Sequence, residues 1–347
     1  MHTCPPMRPV TRIMVLLLAF VGATPASAAW ADAAGPTDYR TRVVSIEPAT
    51  PTVHPSIVGG DSFLLLRVDR GTEVQVLGYR SEPYLRFLPD GTVQENRSSA
   101  SYYVSRSRLG EALPAGFVDD APPDWHTVAS DGTYAWHDHR THWMTDGRPP
   151  GKQPGDVVLQ QTVPLVVDGV EVAVVVQSVW MEAPSSLAVW VGGFAGVTIG
   201  VVLARGRRWV ALLPVVDLAV LAAVVGAWQY RSLPAETGPR TVWWLLPAIA
   251  VAAAVAAIVA RRRRTELVAN ALLLLAGCNL LVWGWLRRGE FDAAILATDA
   301  PGWLDRAVSA AALCGGAATT MVGLWALLRV IVRPASAPTT AATSATS

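Results

Sequence analysis

Residues 187–204 read LAVWVGGFAGVTIGVVLA, from Leu187 to Ala204, with no ionisable side chain. As a helix rising about 1.5 Å per residue this stretch is roughly 27 Å long, close to the ~30 Å of hydrocarbon in a bilayer. Inside hydrocarbon every backbone amide must find its partner within the protein, so a helix is the open-ended solution. Four comparable stretches follow at 209–228, 241–260, 267–286 and 307–332. Residues 186–332 therefore read as a five-helix transmembrane domain in contact with the lipid bilayer.

The joints between these stretches carry the orientation. Arg205, Arg207 and Arg208 separate the first two, Arg261, Arg262, Arg263 and Arg264 separate the third and fourth, and Arg329 and Arg333 flank the end of the fifth. The other joints, 229–240 and 287–306, mix Arg with Asp and Glu. Arginine-rich joints belong on the cytoplasmic side. The segment before Leu187 is thereby expected outside and the C-terminus inside, as in a multi-pass plasma-membrane protein. Residues 333–347, rich in Ala, Thr and Ser, read as a disordered cytoplasmic tail.

The N-terminus agrees with that orientation. Arg8 and Arg12 precede an apolar run at 13–23, followed by Ala26-Ser27-Ala28. This is the form of a signal peptide over residues 1–28, with cleavage expected after Ala28; an uncleaved anchor is the other option. Apolar residues make up 52% of the 347 and charged residues only 16%, a deficit concentrated in the second half. Residues 30–186 are rich in acids, which argues against nucleic acid as a partner because its phosphates would be repelled. The three cysteines, Cys4, Cys278 and Cys314, all lie outside residues 29–185, so that domain is expected to fold without disulfides.

Residues 29–185 read as a β-rich extracytoplasmic domain. Runs at 42–46, 62–68, 73–79, 83–88 and 171–179 are rich in Val, Leu, Ile and Tyr. Asp90-Gly91, Asp131-Gly132 and Asp168-Gly169 stand between such runs, and Asp-Gly favours a two-residue hairpin because both positions tolerate positive φ. The clearest hairpin joins 163–167 to 170–176. Strands at this spacing predict an all-β antiparallel sandwich, with an immunoglobulin-like arrangement and a small barrel as the forms to test. Segments 110–123 and 145–155 read as loops.

Between those loops lie Asp124-Trp125-His126-Thr127 and Trp136-His137-Asp138-His139-Arg140-Thr141-His142-Trp143, holding four of the six histidines. As a strand, this segment would turn His137 and His139 to one face, with His142 returning to it after a bend. Three readings stand side by side. His137, His139, His142 and His126 could ligate copper or zinc, with Asp138 accepting a ring N–H. Arg140 and Asp138 could bind a small polar ligand between Trp136 and Trp143. The whole set could instead be a hydrogen-bonded network that stabilises the fold.

In the membrane half, Asp217 is an acid within an apolar stretch, a functional candidate by default. Asn270 and Asn279 are its expected partners; the alternative is hydrogen-bonded glue between helices. The spacing of Gly192, Gly196 and Gly200 predicts close helix packing. The joint at 290–306 is expected to lie at the interface or dock under the outer domain. No phosphate-binding glycine loop, nucleophile elbow or zinc-protease motif is present, so a non-enzymatic protein is expected.

The residues Glu82-Pro83-Tyr84-Leu85-Arg86-Phe87 with Asp90-Gly91, Pro123-Asp124-Trp125 and the 136–143 segment resemble a family of uncharacterised membrane proteins of high-GC Gram-positive bacteria, over about residues 40–310. The resemblance implies no activity. In architecture alone, a secreted β-domain joined to membrane helices is similar to the CopC–CopD copper proteins. Here, however, Ala29 or Trp30 stands where a CopC-type domain begins with histidine. The expected function is an extracytoplasmic binding or sensing domain on a membrane anchor. The alternatives are a metal-delivery or transport component, and a structural subunit that contacts other membrane proteins.

Overall fold

The alternating apolar runs form ten strands in the computed structural model, which describes residues 33–332 apart from 120, 146 and 207. The expected signal peptide, Arg207, Arg333 and the C-terminal tail lie outside the described residues. The strands are β1 (Tyr39–Glu47), β2 (Val53–Val58), β3 (Phe63–Val68), β4 (Val74–Leu77), β5 (Pro83–Phe87), β6 (Val93–Asn96), β7 (Trp125–Ala129), β8 (Thr133–Trp136), β9 (Val157–Val167) and β10 (Val170–Trp180). All pairings are antiparallel. Seven strands form one sheet in the order β1-β10-β9-β4-β5-β6-β7, and β2-β3-β8 form a second.

Alternation decides which faces meet. Val163, Leu165 and Val167 of β9 and Val172, Val174 and Val176 of β10 are buried, while their neighbours in sequence are more open. They share one apolar core with Val53, Leu64 and Leu66 of the second sheet and with Leu85 and Phe87 of β5. Asp168 and Gly169 both take positive φ and join β9 to β10 as the two-residue hairpin the sequence predicts. The other Asp-Gly pairs differ from expectation. Asp131-Gly132 joins β7 to β8, which belong to different sheets, so it turns a corner rather than a hairpin. At Asp90-Gly91 only the glycine is left-handed, within a longer connection. A short helix, α1 (Ala100–Val104), was not foreseen. Ser99 caps it, and the Glu82 carboxylate accepts from Ser99 Oγ, Ser101 N and Ser101 Oγ.

Five helices follow: α2 (Leu187–Arg205), α3 (Leu213–Arg231), α4 (Val242–Arg262), α5 (Glu266–Leu286) and α6 (Gly302–Val332). Each is long and apolar enough to cross a bilayer, α3 together with the 3₁₀ turn Trp209–Leu212. Their packing inverts that of a water-soluble bundle. The buried stripe of α4 is Ala250, Ala253, Ala254, Ala257 and Ala260, while large side chains such as Leu187, Phe194 and Met321 are about two-thirds exposed on the outside. Between lipid-facing helices there is little hydrophobic gain, so close approach by small residues supplies the contact.

The glycines show how close. A Cβ on Gly196 would lie 2.5 Å from the Ala311 carbonyl oxygen and 2.6 Å from Gly315 N. Gly192 and Gly200 meet Ala307 and Ala318 in the same sense, so α2 and α6 run parallel. Gly277 meets Thr320 and Gly284 meets Leu313, so α5 and α6 run antiparallel.

Alternation of the five helices then sorts the joints. Residues 205, 206, 208–212 and 262–265 lie at the end remote from the β-domain, where Arg262 sits 3.8 Å over the Trp209 ring. Arg329, over Trp325 at 3.3 Å, approaches the same end.

The near end touches the β-domain. Thr37 and Ile295 exchange backbone hydrogen bonds of 3.0 and 2.8 Å, and Ala294 N donates to Asp38 Oδ1 at 3.0 Å. Ala34, Phe63 and Ala135 share a small apolar cluster with Leu233 and Ala297. The joint at 290–306 thus docks under the β-domain. Beneath it lies an ion cluster the sequence did not reveal. Arg287 donates to both oxygens of Asp305 at 2.6 and 2.7 Å, to Ser309 Oγ at 2.9 Å and to Gln229, and lies 2.9 Å from Glu290. All five residues are buried.

Overpacking a tight contact costs about 1–3 kcal/mol. Gly196→Leu is therefore expected to lower the thermal unfolding midpoint of the full-length protein in detergent. Gly193→Leu, whose Cβ would meet only Cys314 Sγ at 3.7 Å, is expected to leave the midpoint unchanged.

Candidate functional site

Strand β8 stops at Trp136, which pairs with Leu64 of β3. The reason is Asp138. Its carboxylate accepts Arg140 N at 3.0 Å and its carbonyl accepts Thr141 N at 2.9 Å, which coils the chain into consecutive turns. The expected strand with His137 and His139 on one face is thereby corrected: residues 137–143 form a coiled loop.

Asp138 does not orient a histidine either. It is fully buried and accepts Trp136 Nε1 at 3.0 Å, Arg140 Nε at 2.8 Å and Arg140 Nη2 at 2.7 Å. Burial pushes its carboxyl up, but the Arg140 charge and hydrogen bonds outweigh this and hold it below the usual carboxylate range. Arg140 also donates to the Leu77 carbonyl at 3.2 Å and covers the Tyr79 ring at 5.0 Å. Asp138, Arg140 and Trp136 are spent on one another, and Trp136 is in the core.

The loop brings three of the four candidate histidines together. The His139 and His142 rings lie 5.4 Å apart, and the His137 and His142 rings 6.3 Å apart. Each ring binds a backbone carbonyl: His137 Nδ1 to Ser62 at 2.7 Å, His139 Nε2 to Ser107 at 3.1 Å and His142 Nε2 to Arg108 at 2.7 Å. Because a carbonyl can only accept, each of these nitrogens carries the proton. His137 also stacks on Phe63 at 4.1 Å, and His139 on Tyr79 at 5.5 Å. Burial, then the charge of Arg108, lowers His142 to about 3, and burial lowers His139. Both imidazoles are neutral at neutral pH. Among the described residues no group of three or more His, Cys, Asp or Glu is arranged to hold a metal ion. His126 lies apart on β7, paired with Asp124 at 3.0 Å.

The residues that receive these imidazoles had no signal in the sequence. Arg108 grips the fully buried Asp61 through two bonds of 2.9 and 2.6 Å. Asp61 accepts from Thr37 at 3.2 Å, and Thr141 Oγ1 donates to the Asp61 carbonyl at 3.1 Å. The histidine loop, the 105–110 loop and the Thr37 seam are therefore one hydrogen-bonded body.

That body forms one wall of a cleft of about 410 Å³. Trp143, Arg148, Trp180, Arg108 and Asp38 line it from the β-domain and its leader, and Asp292 and Ala293 from the joint between α5 and α6. Arg148 stands 5.9 Å over the Trp180 ring, and the buried Trp143 Nε1 has no acceptor among the described residues. Of the expected ligand contacts, only Trp143 faces this space.

No family model, curated protein or solved structure matches the chain.

The intramembrane candidates do not meet as expected. Asn270 accepts from Arg261 Nη2 at 2.9 Å, and Asn279 donates to the Leu275 carbonyl at 2.9 Å. Asp217 stands exposed on the outer flank of α3. A second unforeseen group is Glu95 on β6, 9% exposed, opposite His126 and near Arg97 and Arg106. Burial raises it to about 7.

Removing one partner of a buried ion pair costs about 3–5 kcal/mol, so Asp138→Asn is expected to destabilise the full-length protein by that amount in denaturant titrations. Glu95 is raised in the fold, so its contribution is fully present below its unfolded value of 4.5. It is lost as pH rises to about 7, a loss of about 3 kcal/mol. Glu95→Gln is expected to flatten the fall in thermal midpoint between pH 5 and 8.

Proposed function

We propose that this chain is a non-enzymatic binding or sensing module. In this reading the β-domain is a two-layer antiparallel sandwich outside the cytoplasm, the five helices are its anchor, and the C-terminus is cytoplasmic. The orientation is supported by Arg205, Arg208, Arg261, Arg262, Arg263, Arg264 and Arg329, which gather toward the end remote from the β-domain.

One observation carries the functional reading: the cleft is lined from both sides of the seam, by Trp143 and Arg148 on one side and by Asp292 and Ala293 on the other. A ligand held there contacts the β-domain and the joint between α5 and α6 at once. The same joint is clamped to the helices by Arg306, which donates to the carbonyls of Glu290 at 2.9 Å and Ala293 at 2.6 Å. Occupancy of the cleft would therefore bias how the domain sits on the bundle. The histidine loop serves as the wall of the site rather than as a copper or zinc centre, because among the described residues no group of three or more His, Cys, Asp or Glu is arranged to hold a metal ion. Transport through Asp217 has no support in its surroundings.

Thermal-shift screening of the full-length protein in detergent, with small polar metabolites and with Cu²⁺ and Zn²⁺, tests this reading. A stabilising metabolite is expected whose effect disappears in Thr145→Trp, which fills the cleft, and persists in His126→Ala. Stabilisation by metal ions alone, abolished by His139→Ala and untouched by Thr145→Trp, would overturn it.

A further inference from the structure

The chemistry of the cleft lining narrows the ligand, taking as given that the cleft is a binding site. Among the described residues, four charged side chains line it: Arg108, Arg148, Asp38 and Asp292. Arg108 is already committed through both Nη atoms to Asp61. Arg148 rests on the Trp180 ring and, among the described residues, is the cation left to meet a ligand on the β-domain side. Trp143 lines the same cleft, and its indole N–H, a group that can only donate, is buried without an acceptor among the described residues. Leaving such a donor unmet is unfavourable, and an oxyanion would satisfy it together with the guanidinium. The opposite charge comes from the seam. Asp38 holds Ala294 N through one oxygen, and Asp292 stands exposed on the joint.

A ligand that is only an anion would satisfy Arg148 and Trp143 but share the cleft with two carboxylates. A ligand that is only a cation would leave Arg148 and the indole N–H unmet. A molecule bearing both charges a few bonds apart satisfies both walls. Beside Thr37, Tyr39 and Thr145, the lining offers an apolar part: the Trp143 and Trp180 rings and Leu109, which is 60% exposed at the edge. The volume, about 410 Å³, lies in the range of sites for small molecules.

We infer that the cleft binds a small zwitterion of the amino-acid class. Arg148 and the Trp143 N–H take its carboxylate, Asp292 and Asp38 take its ammonium group, and the two indole rings take an apolar side chain. Through Asp292 the ammonium group holds the joint between α5 and α6, so both charges of the ligand are needed to bridge the seam.

The twenty proteinogenic L-amino acids, each added to full-length protein in detergent and read by thermal shift and calorimetry, provide the test. At least one with an apolar side chain is expected to bind. Its des-amino and decarboxy analogues are each expected to bind about tenfold more weakly or worse. Arg148→Gln is expected to erase the discrimination against the decarboxy analogue, and Asp292→Asn to reduce that against the des-amino analogue. Both positions are exposed, and unchanged melting of the two unliganded variants checks that they fold. The inference is overturned if none of the twenty binds, or if the des-amino analogue binds as tightly as its parent. In either case the cleft reading still stands if another metabolite's stabilisation is lost in Thr145→Trp, and falls with the inference if none is.

Discussion

The bundle depends on backbones coming close enough to touch. Leu, Val, Phe and Trp cover the outside of the helices; at the closest approaches between them lie Gly and Ala, with Leu218, Leu273, Leu280 and Trp283 filling the space around. In a medium as apolar as the side chains themselves, packing contact rather than expulsion of water holds helices together. Helix α6 shows the consequence. Its Ala307, Ala311 and Gly315 face the glycines of α2, and its Gly316 and Gly323 sit against α5. A single helix thereby fixes both neighbours, and with them the end on which the β-domain rests.

At that end the interior turns polar, and the polar groups are paired. Arg287 lies between the Trp243 and Trp283 rings and binds Asp305, Glu290, Ser309 and Gln229. These partners come from α3, α6 and the joint after α5, so the cluster ties several helices where apolar packing gives out. A buried charge with several bonds is tolerated; one without a partner is not. The joint that leaves this cluster carries Ala294 and Ile295 to the β-domain, where backbone hydrogen bonds complete the seam.

The histidine loop obeys the same logic from the other side. Asp138 and Arg140 neutralise one another in the interior, and three imidazoles cap the carbonyls of Ser62, Ser107 and Arg108, which belong to segments with no regular pairing of their own. Polar residues are thus used to hold irregular chain, and the site is left to the residues at the rim: Trp143, Arg148 and Trp180.

The amino-acid order by itself determined the large divisions. Apolar stretches of bilayer length admit one solution, and alternating valines around Asp168-Gly169 admit another, because both signals are local and repeat along the chain. Strands 62–68 and 171–179 and the packing face of Gly192, Gly196 and Gly200 were legible for that reason. The ends of elements were less so, since Asp138 stops β8 through bonds that no periodicity announces. What only the tertiary structure decided is partnership. Asp61 meets Arg108 across 47 positions, Thr37 meets Ile295 across 258, and Asp217 meets neither asparagine expected of it. A charge finds its partner wherever the fold brings opposite charge into a place without water, and that distance along the chain leaves no mark in the sequence.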